Sequence, residues 1–229
     1  MTTLRRLWLP AALLALAVGS AGCNLLQVPF FLFGPEPSVP AQFVRLADEK
    51  DKDREVKVVI LVDGGLETRS EFIGVERELA TRLGRQLHEL CEYNKEKVAI
   101  VPAAKVERFK QDHPGWHTMD KADIGKHFDA DYVIHLEINS LTLYKKGSGN
   151  SLFRGLADIS VTVVDVKSPE DGRGDSTAFR CEYPSEAKGG IDVSDTNPLQ
   201  FRQMFLTYLA KKLAWQFTSH PTAAEHECE

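Results

Sequence analysis

The chain has 229 residues, 43% hydrophobic and 27% charged, and its 33 acidic against 28 basic side chains give a formal charge of −5. That length supplies one core rather than two, and the acidic balance lacks the basic footprint of a general nucleic-acid binder. Of the 4 cysteines, Cys23 follows an apolar leader; set apart, it leaves three, an odd number that cannot all pair within one molecule, so this is not a disulfide scaffold.

Arg5 and Arg6 precede the apolar run from Leu7 to Val18, and the small residues Gly19, Ser20, Ala21 and Gly22 lead to Cys23. A basic start, a short apolar stretch and small residues before a cut are the parts of a secretory signal peptide. The run alone is too short to cross about 30 Å of hydrocarbon. A cysteine directly after Ala21-Gly22 resembles the lipobox of bacterial lipoproteins, with Ser20 standing where that family usually has an aliphatic residue. The resemblance implies that residues 1–22 are removed and that Cys23 becomes the first mature residue and carries the lipid, palmitate included. Ordinary cleavage after Gly22 and an uncleaved anchor are the competing readings. Asn24 is not the aspartate that resembles an inner-membrane retention signal, so the expected place is the outer membrane, facing the periplasm. Losing Arg5 and Arg6 takes the charge from −5 to −7.

Residues 23–54 read as a tether, with prolines at 29, 35, 37 and 40 that stiffen it toward an extended form. Phe30, Phe31, Leu32 and Phe33 suit an interfacial contact beside acyl chains, and 40–46 suits an edge strand. The globular domain is expected over 55–219. Val56 to Val62 is an apolar, β-branched run ended by Asp63-Gly64-Gly65, hence a strand buried on both faces. Phe72, Val75, Leu79, Leu83, Leu87 and Leu90 then recur every three or four residues, predicting an amphipathic helix over 70–93 capped by Thr68 or Ser70. A short strand at 98–101, a helix from Pro102 to about 111, a Pro114-Gly115 turn and a short helix over 119–128, capped by Thr118 or Asp120, follow.

From Tyr132 the letters alternate, Ile134, Leu136 and Ile138 against His135, Glu137 and Asn139, and the phase shifts after Ser140 as a bulge would cause. A hairpin loop over 145–151 leads to a strand over 156–166 with Ile159, Val161 and Val163 opposite Asp158, Ser160 and Thr162. A further strand sets Phe179, Cys181 and Tyr183 opposite Arg180 and Glu182. Three strands with one wet face predict an antiparallel meander. Residues 198–219 are expected to form the last helix, with a wide apolar stripe suited to covering the sheet, and 220–229 read as a disordered tail. Cys91 and Cys181 fall on apolar faces as small buried hydrophobes; Cys228 falls in the polar tail.

The order of these elements, with the phrase Gly125-x-x-Phe128-x-Ala130-Asp131-Tyr132-Val133-Ile134 and Val163-Val164-Asp165 before a turn, resembles the periplasmic domains of several bacterial lipoproteins. The lipoprotein activator of penicillin-binding proteins and the curli-secretion lipoprotein belong to that group, and the amino-terminal domain of TolB shares its fold. The resemblance spans about 56–217 and implies an α/β (α+β) fold, a mixed five-stranded sheet with helices mainly on one face. It also implies scaffolding or assembly at the envelope, and brings no catalytic residue with it.

Chemistry is sparsely written. Gly64-Gly65 between strand and helix invites a phosphate-loop reading, without the dinucleotide or Walker pattern; a small-ligand or nucleotide-binding domain, with or without hydrolysis, is the alternative function. His113 and His117 are split by Pro114-Gly115, so no metal site is expected, and no cofactor. His135 and Glu137 share a face and suit an acid–base pair, although solvated sheet decoration explains them as well. No nucleophile with an assigned base is visible, so the chain is expected not to be an enzyme. The candidate partner-binding face is His135, Glu137, Asn139, Asp158, Ser160, Thr162, Arg180 and Glu182. Its expected partner is another envelope protein or a second copy, with a free strand edge beside it to pair. Nucleic acid is not expected.

Overall fold

An apolar run rich in β-branched residues, from Val56 to Val62 and interrupted only by Lys57, makes β2 (Val56–Gly64) a strand covered on both sides, and the domain is laid out from it. The computed structural model describes residues 37–47, 54–65, 68, 72–168, 175–185 and 188–226. The signal segment, Cys23, Phe30 to Phe33, Ser70 and Cys228 lie outside the described residues. Along the chain come β1 (Ser38–Val39), β2, α1 (Val75–Tyr93), β3 (Val98–Ile100), α2 (Ala103–Asp112), a 3-10 turn (Trp116–Thr118) and α3 (Lys121–His127). Then follow β4 (Tyr132–Tyr144), β5 (Leu152–Asp165), β6 (Asp175–Tyr183), β7 (Ile191–Asp192), α4 (Pro198–Ala214), β8 (His220–Pro221) and α5 (Ala223–His226). No helix among them is long and apolar enough to cross a membrane.

The main sheet has the order β3-β2-β4-β5-β6, with β7 beside β5. β2 is parallel to β3 and β4, while β4, β5 and β6 form the expected antiparallel meander. The fold is thus the mixed α/β architecture read from the sequence, with β7 as an added short strand and with helices on both faces of the sheet rather than mainly on one.

Alternation along each strand divides the core into two layers. Val56, Val58, Ile60 and Val62 of β2, Ile134, Leu136 and Ile138 of β4 and Ile159, Val161 and Val163 of β5 face α1 and α4. Those helices answer with Leu79, Leu83, Leu87, Phe201, Phe205 and Leu209. Burying each such side chain contributes about 1.5–3 kcal/mol. Gly155 lets α4 approach closely, since a Cβ there would lie 2.5 Å from the Phe205 ring. On the opposite face Val59, Leu61, Val133 and Val164 pack under α2, Trp116 and α3.

Two helix ends depart from expectation: α4 stops at Ala214 rather than running to 219, and α1 starts without a side-chain cap. Gly74 is the N-cap of α1 with φ 73° and no side chain caps it, a left-handed turn glycine adopts freely. Thr68 instead presents its carbonyl to the Phe72 N–H at 2.8 Å. Asp120 caps α3 and Asn197 caps α4 through their side chains.

Both ends of the domain extend further than expected. Residues 38–47, read as tether, lie against the end of α4: the N–H groups of Gln42, Phe43 and Leu46 donate to the carbonyls of Trp215, Gln216 and Phe217. Leu46 is buried and Arg45 Nη2 donates to Glu96 Oε1 at 2.9 Å. Only Ser38 and Val39 pair as a strand, with His220 and Pro221, so the edge strand expected over 40–46 is absent from the described residues. Residues 220–226, expected to be a loose tail, carry β8 and α5. His220 is buried there because its ring stacks on Trp215 at 4.0 Å and 3°.

Candidate binding face

The layer of α2 and α3 covers one part of the second sheet face and then stops. Past Val133 on β4 that face carries His135, Glu137 and Asn139; on β5 it carries Thr162, Ser160 and Asp158 in place of Val164. Register sets His135 opposite Thr162 and Glu137 opposite Ser160, with Ala178 and Arg180 of β6 beyond Ser160 and Asp158. Glu137, Asn139, Ala178 and Arg180 are exposed. The bulge read from the phase shift falls at Asn139, between the pairs Ile138–Ile159 and Ser140–Asp158.

Its extra residue knits the face together. Asn139 Nδ2 donates to Ser160 Oγ at 3.0 Å and to Asp158 Oδ1 at 3.3 Å, and Arg180 Nη2 donates to Asp158 Oδ2 at 3.1 Å. Bonds from Asn139 and Arg180 hold the Asp158 carboxyl below the usual carboxylate range. Thr162 Oγ1 donates to Ser176 Oγ at 3.2 Å, which adds Ser176 to the face; the alternation Ser176, Ala178, Arg180 along β6 is the signal in the sequence that finds it. Exposed pairs of this kind add little stability, so their effect is to order the side chains.

Two of the eight residues behave differently. Glu182 forms an ion pair with Arg154 at the sheet edge. His135 is half-buried, and its Nε2 has no hydrogen-bond partner among the described residues. Burial, aided by the positive charge of Lys121 and Lys110 and opposed by Asp63, pushes its imidazole down to about 4. No hydrogen bond links it to Glu137, so the acid–base pair is not assembled. Near it, His117 Nδ1 donates to Asp63 Oδ2 at 2.8 Å, and the Lys121 ammonium lies 5.5 Å from the Trp116 ring centre. His113 turns away and stacks on Phe109 at 4.3 Å. Among the described residues no three His, Cys, Asp or Glu side chains are placed to hold a metal.

At the Gly64-Gly65 turn, Glu76 Oε1 accepts the Gly64 N–H at 2.6 Å, and Glu76 and Glu78 fill the first turn of α1. Carboxylates occupy the place where an anion would be drawn by the helix N-terminus.

No protein-family model and no curated protein matches the chain. It is similar to several solved structures. The PelC dodecamer from Paraburkholderia phytofirmans is 10% identical, over 79% of this chain and 99% of that one, at a TM-score of 0.42. Lipoprotein GNA1162 from Neisseria meningitidis is 14% identical, over 69% and 98%, at 0.37. Protein XCC0632 from Xanthomonas campestris is 12% identical, over 76% and 90%, at 0.41. Bacterial lipoproteins are thus among the structures this chain is similar to.

Proposed function

We propose that the chain is a lipid-anchored protein of the bacterial envelope that binds another envelope protein, or further copies of itself, as a non-enzymatic scaffold or regulatory factor in cell-wall synthesis or envelope assembly. Cys23 after its export signal is the anchor, and Asn24 favours the outer membrane. The carrying observation is the uncovered half of the sheet. Three adjacent strands present Asn139, Ser160, Asp158 and Arg180 already joined to one another, so a partner meets side chains whose ordering cost is reduced in advance. Protein binding uses such a rigid polar surface without needing a nucleophile, a base or a metal.

Replacing Asn139, Asp158 and Arg180 together by alanine tests this. These groups are on the surface, so the fold should survive. Crosslinked cells expressing the tagged variant should then yield less of the envelope protein recovered with the unaltered chain. Equal recovery of the same protein from a folded variant would remove the face from the account.

A further inference from the structure

A second feature lies around the outer edge of β6, the terminal strand of the sheet. A cleft of about 270 Å³ separates that edge from the second half of α4, and Gln42 of the amino-terminal segment closes one end of it. Its chemistry is one-sided. The Lys212 ammonium lies 4.1 Å from the Trp215 ring centre and 5.6 Å from that of Tyr208, with no carboxylate in ion-pair range among the described residues. The Trp215 side chain is buried on the cleft wall, and its indole N–H has no hydrogen-bond acceptor among the described residues. Gln42 Oε1 accepts from Gln216 Nε2 at 2.7 Å, which leaves the Gln42 amide N–H groups as donors. Arg180 stands at the rim, its side chain 83% exposed and paired with Asp158. The one carboxylate in the lining, Glu182, is engaged by Arg154.

We propose that this cleft binds a small oxyanion, a carboxylate or a phosphate, with Lys212 as the charged contact and the aromatic rings of Trp215 and Tyr208 as its walls. Among the lining charges Lys212 alone has no ion-pair partner among the described residues, and a cation held over two aromatic faces keeps its N–H groups available. A ligand of a few heavy atoms fits the volume. This site is separate from the Asn139–Asp158 face except at Arg180, and it does not depend on the identity of the envelope partner.

The test uses the full chain in detergent, labelled with 5-fluorotryptophan, and titrated separately with inorganic phosphate and with acetate at an ionic strength held constant with sodium chloride. The Trp215 fluorine signal should move and saturate with at least one anion while that of Trp116 stays put. Saturation by phosphate alone or by acetate alone supports the site and identifies its ligand class. Lys212→Gln should weaken the apparent affinity roughly tenfold or more, Lys212→Arg should retain it, and Lys105→Gln on α2 should leave it unchanged. Movement no greater than sodium chloride produces in the unaltered chain overturns the proposal whatever the variants do. So does a folded Lys212→Gln variant that titrates like the original.

Discussion

The carboxylate of Glu76 accepts the backbone N–H of Gly64 at 2.6 Å, tying the first turn of α1 to the end of β2. A turn that sequence alone offers to a phosphate is thereby filled by the protein's own anion. Nucleotides should therefore leave the melting temperature unchanged in a thermal-shift screen of the Lys212→Gln chain, in which the oxyanion cleft beside β6 is disabled. A true ligand at a hundred times its dissociation constant would add about 2.7 kcal/mol; a saturable rise of that order with any nucleotide would contradict this reading. Glu76→Ala, which strands the Gly64 N–H, should cost about 1–3 kcal/mol in urea unfolding.

Leu46 belongs to the folded domain although it precedes the first long strand by ten residues and follows a proline-rich stretch. It is 1% exposed and its N–H donates to the Phe217 carbonyl. Leu46→Ala should cost about 2–5 kcal/mol, as deletions of buried leucine side chains do. An unchanged urea midpoint and slope would mean that the 38–47 segment does not contribute to the core.

His135 makes stability depend on pH. Its imidazole titrates at about 4 in the folded chain against an ordinary value of 6.5. Between those values the unfolded chain binds the proton and the folded chain does not, so stability rises with pH across that window. The contribution is complete above 6.5 and is lost as pH falls toward 4. His135→Gln should flatten the dependence of unfolding free energy on pH between 4 and 6.5; parallel profiles for the two proteins would show that His135 is not the group responsible.

The long elements were legible because one residue period dominates each. Val56 to Val62 had to be covered on both faces, the α1 stripe had to meet a sheet, and the phase change after Ser140 located the Asn139 bulge. The pairing of Gln42 to Leu46 with the 215–217 carbonyls left no such trace, since it uses backbone groups of segments far apart in the chain. His220 reads as solvent-exposed by its letter and is buried by stacking on a tryptophan. Within the candidate face, Asn139, Asp158, Ser160 and Arg180 followed from alternation. The separate fates of His135 and Glu182 depend on burial with Lys121 nearby for the first and on Arg154 for the second, none of which a pattern in β4 or β6 encodes.

The central claim joins the anchor at Cys23 to the open sheet face, and one measurement addresses both. A photocrosslinking amino acid is placed at Ala178, exposed on that face, or at Arg85 on α1 as a control, in the unaltered chain and in Cys23→Ser. Cells are irradiated, fractionated and analysed by mass spectrometry. The account predicts an adduct with one envelope protein or a second copy from position 178 and not from 85. It also predicts that Cys23→Ser leaves the membrane fraction and loses the adduct. Monomer alone from position 178, or a Cys23→Ser chain that stays as firmly in the membrane fraction with the same adduct, would contradict it.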